Sequence, residues 1–140
     1  MGLTDEEIRR YARQIVIPQI GVEGQRKLRD SKVLIVGAGG LGSPALLYLA
    51  SAGVGVIGIA DFDTVDESNL QRQVIYTASD VGRRKTESAI ERVEKMNPNI
   101  RAIAHKEKID LGNAYSIIKG YDIVIDCSDN FSARYAINDA

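Results

Sequence analysis

Cysteine and histidine each occur once in the 140 residues, as Cys127 and His105. A lone cysteine excludes an internal disulfide and the two CxxC pairs of a structural zinc site. It fits a reducing, cytoplasmic setting. His105 sits in AHKEK on an expected strand, where an edge or solvated position is the ordinary reading. Charge of one sign is also lacking: 18 Lys and Arg against 19 Asp and Glu leave a net charge of -1. That excludes the basic field of a nucleic-acid binder and a polybasic membrane patch. No apolar run approaches the roughly 20 residues that span a bilayer. The opening MGLTDEEIRR lacks the apolar core of a signal peptide. Repeats, low-complexity tracts and linkers are absent too. What remains is ordinary for a globular chain, 44% hydrophobic and 26% charged, and enough for one core.

Thr4-Asp5-Glu6-Glu7 has capping-box form, so a helix is expected with Ile8, Tyr11, Ala12 and Ile15 on one face, interrupted by Pro18 and Gly21. A second short helix is expected over 22–28. Lys32 to Val36 is apolar without alternation, as in a parallel strand covered on both faces. A glycine turn (37–42), a helix (43–52) and a strand (55–60) follow. The polar loop from Phe62 to about Ser79 is long for a mere connector. Asp80 is expected to cap a helix reaching Met96, with Ala89, Ile90, Val93 and Met96 at helical spacing. A strand (100–106), a short helix (111–118), a strand (121–126) buried at Ile123, Val124 and Ile125, and a helix from Phe131 complete the pattern. The fold class is therefore α/β: a Rossmann-like, mostly parallel sheet with helices on both faces. The expected organisation is a single domain, with a helical segment over 1–31 and strand–helix units over 32–140.

Gly37-Ala38-Gly39-Gly40-Leu41-Gly42 satisfies G-x-G-x-x-G between a strand and a helix, the context that motif needs. Backbone N–H groups and the helix N-terminus favour a phosphate there. Asp61 ends the next strand, near the spacing at which an acid meets a ribose. The motif alone favours NAD or FAD over a packing turn. Three features weigh against a dinucleotide. The loop DFDTVDESNLQRQ (61–73) is richer in polar groups than a dinucleotide needs, and Asn69 and Arg72 could meet phosphates or ribose from it. Gly82-Arg83-Arg84-Lys85 places three cations in the expected first turns of a helix, where the helix dipole disfavours them. A phosphate chain would supply the missing anion, with Lys85 as a point charge on it. Finally, DCSDN (126–130) puts acid where ligands of open parallel sheets sit. Acid suits that place if magnesium lies between it and a phosphate, which makes Asp129 the metal candidate. Asp126 either joins it or caps the following helix. Cys127 reads as a small buried residue, not a nucleophile.

RYARQ (10–14), GAGGLG (37–42), DFDTVDESNLQRQ (61–73), VGRRKTESA (81–89) and DCSDN (126–130) together resemble the ThiF/MoeB/HesA family, relatives of the ubiquitin-activating enzymes. SNLQRQ with a downstream Lys and DN is far more specific than the glycine motif. The resemblance implies Mg-ATP and adenylation of the C-terminal glycine carboxylate of a ubiquitin-like sulfur carrier ending in Gly-Gly, with release of pyrophosphate. It implies a nucleotide site of Gly37, Gly39, Gly40, Gly42, Asp61, Asp63, Ser68, Asn69, Leu70, Gln71, Arg72, Lys85, Asp129 and Asn130. Within that set Gly40 lies against the nucleotide and Asp61 holds the ribose. Asn69, Arg72 and Lys85 meet the phosphates, Asp129 binds Mg2+, and Asn130 lines the same pocket. Arg13, Arg72, Lys85 and Asp129 form the catalytic group, Arg13 being supplied by the other subunit of a homodimer. Family members continue with further strands, a loop over the carrier tail and often a zinc site. No ligands for that Zn2+ are present here, and the expectation is a truncated chain carrying the nucleotide-binding half. An NAD-dependent oxidoreductase domain and a non-catalytic interaction domain of the same fold are the competing readings.

Overall fold

The computed structural model describes residues 2–140. Thr4 caps α1 (Asp5–Arg10) as expected: its hydroxyl accepts the Glu7 N–H, and the Glu7 carboxylate accepts the Thr4 N–H at 2.7 Å. The first expected helix is split at Tyr11, and α2 covers only Ala12–Ile15. Tertiary demand causes the break. Tyr11 is buried, and its hydroxyl accepts the Asn97 Nδ2–H at 2.8 Å. Ile8, expected on the buried face, is 45% exposed. α3 spans Gly21–Asp30, longer than expected at both ends.

The sheet consists of β1 (Lys32–Val36), β2 (Val56–Ala60), β3 (Arg101–His105) and β4 (Ile123–Asp126). All pairs are parallel, in the order β3-β2-β1-β4. β1 is covered on both faces, as its unbroken apolar run implies. Val33 and Ile35 face α4 (Gly42–Ala52) and α5 (Lys85–Met96) in a core with Leu46, Ala50, Ala89 and Val93. Leu34 and Val36 face α6 (Ala114–Ile118) and α7 (Phe131–Asp139) in a core with Ala60, Ala114 and Ala136. Leu34, Ile35, Ile57 and Ile59 are fully buried, and each contributes about 1.5–3 kcal/mol of burial free energy. β4 is an edge, so Ile123, expected inside, is 55% exposed. His105 lies on the other edge strand, β3, as expected; its Nε2 is 2.7 Å from the Tyr121 hydroxyl, and burial lowers its pKa.

The N-terminal helices dock at the far end of α4. Gln14 and Gln25 both donate to the Ala52 carbonyl, at 3.1 and 2.9 Å, and Asn97 donates to the Ala50 carbonyl at 2.7 Å. These bonds satisfy the carbonyls that end α4. Strand order reverses between β1 and β4, because β2 and β3 extend to one side and β4 returns to the other. The crevice beyond the carboxyl ends of β1 and β4 is thus the switch point of a doubly wound sheet.

Candidate functional site

The glycine turn exists because two backbones meet there. Gly37 has φ +92, and a Cβ on it would lie 2.6 Å from the Cys127 carbonyl oxygen at the end of β4. Gly42 is buried, and a Cβ on it would overlap the Gly37 carbonyl. Gly42 therefore serves packing of α4 on the turn and does not face the crevice. The turn is braced from below. The Asp61 carboxylate accepts the Ala38 N–H at 2.9 Å through Oδ2 and the Asp63 N–H at 2.8 Å through Oδ1. Tyr76 donates its hydroxyl to the Ala38 carbonyl at 2.7 Å. Burial, then the nearby Asp61, Asp80 and Asp63 charges, push the Tyr76 phenol up, so it stays a neutral donor. Tyr76→Phe leaves that carbonyl buried and unpaired, and is expected to destabilise the chain by about 1–3 kcal/mol in chemical denaturation.

The long loop after β2 is folded, not merely polar. Val65 donates to the Arg83 carbonyl at 2.8 Å, Gly82 to Val65 at 2.8 Å and Lys85 to Asp63 at 3.0 Å. This short antiparallel clamp holds Arg84 extended, so α5 begins at Lys85 with Arg84 as its N-cap. Two expectations are corrected by it. Asp80 ends a 3-10 turn (Ala78–Asp80) and does not cap α5. Arg83 and Arg84 lie outside the helix, and Arg83 is paired with Asp80 at 3.0 Å and Glu91 at 2.8 Å. Lys85 alone stands in the first turn.

A cavity of about 420 Å³ opens at the switch point. Gly37, Gly39, Gly40, Asp61, Asp63, Arg72, Lys85, Asp129 and Asn130, all expected in the site, line it. Lys85 is only 6% exposed and makes no hydrogen bond through its ammonium; the nearest carboxylate oxygen, of Asp63, is 3.8 Å away. Arg72 lies over Gly40 and donates to the Ser68 carbonyl at 3.2 Å. Asp129 is exposed on the wall and free of any hydrogen bond or ion pair among the described residues. Asn130 caps α7, accepting the Ala133 N–H at 2.8 Å. Asp126 therefore does not cap that helix; its Oδ1 accepts the Ser128 N–H at 2.9 Å. Cys127 is half-buried and lines the cavity, more open than expected. Burial and the adjacent Asp126 push its thiol up, so it is protonated and a poor nucleophile.

Other expected residues stand off the cavity wall. Ser68 and Asn69 form a 3-10 turn with Asp66, in which the Asn69 amide oxygen accepts the Asp66 N–H at 3.2 Å. Leu70 packs against the main core, and Gln71 is exposed. Arg13 is exposed on α2, whose neighbour Gln14 is tied to the C-terminal end of α4. α4 has 11 residues, so its ends lie about 16 Å apart, the glycine turn at one and Gln14 at the other.

The wall also holds residues that the sequence reading did not single out: Phe62, Gln73, Lys108, Ile109 and Arg134. Gln73 is buried with its Oε1 unpartnered, and its Nε2 lies toward Gly39. Lys108 stands 5.7 Å from the Phe62 ring centroid across the mouth. The rule that ligands sit beyond strand ends points to 106–109 after β3 as well.

A doubly wound parallel sheet with a glycine turn, a buried cation and a cavity at its switch point defines a Rossmann-like ligand-binding domain. The chain belongs to the ThiF family, whose model matches residues 11–140. It is 54% identical over 139 residues to the "Probable adenylyltransferase/sulfurtransferase MoeZ" of Mycobacterium tuberculosis, covering 99% of this chain and 36% of that protein. It is 55% identical over 137 residues to the adenylyltransferase and sulfurtransferase uba4 of Emericella nidulans, covering 98% of this chain and 28% of that one. The chain thus spans about a third of the length of the curated relatives it matches. Among solved structures, it superposes on the E. coli tRNA N6-threonylcarbamoyladenosine dehydratase TcdA in complex with ATP with a TM-score of 0.91 at 28% identity, over 98% of this chain and 56% of that one. It superposes on E. coli MccB with SeMet MccA with a TM-score of 0.84 at 32% identity, over 92% of this chain and 40% of MccB.

Proposed function

We propose that this chain binds Mg-ATP and activates the C-terminal glycine carboxylate of a ubiquitin-like sulfur carrier by adenylation. The observation that carries this reading is Lys85: a side chain only 7% exposed, on the cavity wall, whose ammonium makes no hydrogen bond. A buried ammonium without close partners is costly, and a polyphosphate is the ligand that answers it. A nicotinamide dinucleotide leaves Lys85 and the SNLQR loop without a role. MoeZ and uba4 are named adenylyltransferases, and TcdA is solved with ATP and with AMP.

In this reading the glycine turn carries the phosphates on its N–H groups. Asp61, braced by two backbone bonds, offers its remaining lone pairs to the ribose. Arg72 and Lys85 hold the β- and γ-phosphates. The carrier's carboxylate attacks the α-phosphorus, an O–P bond forms, the bond to the bridging oxygen breaks, and pyrophosphate leaves with that oxygen's charge. The carboxylate is already ionised at neutral pH, so no general base is required. Both reactants are anions, and the cations lower their repulsion and stabilise charge on the leaving group.

Magnesium fits the donors present. Among the described residues no group of three or more His, Cys, Asp or Glu could hold a metal by itself. Asp129 presents a free carboxylate to the cavity beside the glycine turn, and Mg2+ is commonly held by one or two carboxylates together with substrate phosphates. Bound there, it would neutralise phosphate charge. Arg13 lies too far from its own cavity to act in it, so its expected role requires a second copy. A homodimer, with Val16, Ile17 and Val22 exposed beside Arg13, supplies that copy.

Titration calorimetry with ATP and NAD, each with and without magnesium, tests the reading. ATP binding strengthened by magnesium is expected, with no NAD binding. Binding of NAD, or of neither nucleotide, overturns it. Pyrophosphate–ATP exchange that depends on a carrier ending in Gly-Gly tests the transfer itself.

A further inference from the structure

Lys85 and Asp63 face each other very unequally. The Lys85 side chain is 7% exposed, the Asp63 side chain 53%, and they stand 3.8 Å apart, within ion-pair range but without a hydrogen bond. Their backbones are locked together: Lys85 donates to the Asp63 carbonyl at 3.0 Å, and Asp63 donates to the Asp61 carboxylate at 2.8 Å. Only the Asp63 carboxylate is free to turn. Asp66, the other acid in the field of Lys85, is not free. Its Oδ1 accepts both the N–H and the hydroxyl of Ser68, and these bonds, with the Lys85 charge adding to them, hold it below the usual carboxylate range.

We propose that Asp63 is the resident counter-ion of Lys85, displaced by the nucleotide's phosphates, and that it sets how readily pyrophosphate is released. This rests on the nucleotide reading of the same site. The Lys85 side chain is 7% exposed and makes no hydrogen bond, and Asp63 is the carboxylate within ion-pair range of it in the free chain. Asp63 has solvent at hand, so it gives up the ammonium at little cost. Every polyphosphate that reaches Lys85 therefore competes with a carboxylate already there. The competition weakens ATP binding, and it also returns the site to a neutral pair as pyrophosphate departs. Asp63 is in this sense a positioning residue acting through Lys85, not a ligand of the nucleotide.

The test is calorimetry of pyrophosphate, ATP and AMP on the unmodified chain, Asp63→Asn and Asp63→Glu, in EDTA and in magnesium. In EDTA, Asp63→Asn is expected to bind pyrophosphate and ATP about threefold to fivefold more tightly, the upper range of a partly exposed ion pair removed. AMP, which lacks the β- and γ-phosphates, is expected to change less than about twofold, and Asp63→Glu to restore the original affinities. Unchanged or weaker polyphosphate binding by Asp63→Asn in EDTA overturns the proposal. A loss confined to magnesium, with no gain in EDTA, makes Asp63 a metal ligand and also overturns it. If the unmodified chain binds neither ATP nor pyrophosphate, the nucleotide reading itself fails. Asp63→Ser, which removes the same charge, carries the same expectation should Asp63→Asn not fold.

Discussion

Lys85→Met is expected to lower ATP affinity by about a hundredfold and, at the same time, to raise the melting temperature of the free chain. The two halves have one cause. Lys85 is buried among groups that give its ammonium no hydrogen bond, and Asp63 at 3.8 Å is the carboxylate nearest to it. An apolar side chain of similar length removes from the interior an ammonium held only by this long ion pair, with no hydrogen bond. Replacing buried, poorly paired charge by packed hydrophobe commonly stabilises a fold, here by about 1 kcal/mol, or roughly 3 °C for a chain of this size. The polyphosphate loses its best-desolvated cation, and truncating one partner of such a pair costs about 2–5 kcal/mol of binding. AMP should lose tenfold or less. Calorimetry and thermal melts read both effects. Equal losses for ATP and AMP would take Lys85 off the polyphosphate. A lowered melting temperature would mean that the ion pair with Asp63 outweighs the cost of burying the ammonium. Arg72→Ala should show the same ordering with a smaller loss, because Arg72 is exposed and already spends a donor on the Ser68 carbonyl.

Lys85 was legible because it broke a local rule, a cation at a helix N-terminus. The same rule misplaced Arg83 and Arg84, since the clamp between 63–65 and 82–85 joins segments nearly 20 residues apart and leaves no periodicity in either. β1 and the glycine turn were plain, because burial on both faces writes an unbroken apolar run and G-x-G-x-x-G follows it. The edge position of β4 was not, because YDIVID reads the same whether one neighbour or two flank it. Tyr11 could not be seen to break its helix, as its reason lies at Asn97. Gln73 and Lys108 reach the cavity from loops whose course only the packed chain determines. Arg13 shows the opposite limit: family likeness marks it, while the fold holds it at the far end of α4.

Gly37→Ala and Gly39→Ala test how the turn is built, and the two glycines of one motif should respond differently. Gly37 has φ +92, where any L side chain is strained, and its Cβ would press on the carbonyl oxygen and carbon of Cys127 at 2.6 and 2.9 Å. Those atoms are backbone, tied by the bond from the Cys127 N–H to the Val36 carbonyl at 2.8 Å. Relief therefore requires the ends of β1 and β4 to part. Strain and displacement together are expected to cost about 3 kcal/mol or more, with nucleotide affinity lost alongside. Gly39 does not have positive φ, and its Cβ would meet only the end of the Gln73 side chain, 3.4 Å away at Nε2. Gly39→Ala should cost less than about 1 kcal/mol in folding. Its methyl group would still stand on the cavity wall where phosphate approaches the backbone, so ATP should bind more weakly to a chain that folds normally. Urea denaturation separates the cases, and calorimetry on the folded Gly39 variant completes the comparison. Equal destabilisation by both substitutions would show that the turn is not pinned at the β1–β4 junction, and that the glycines serve a single purpose.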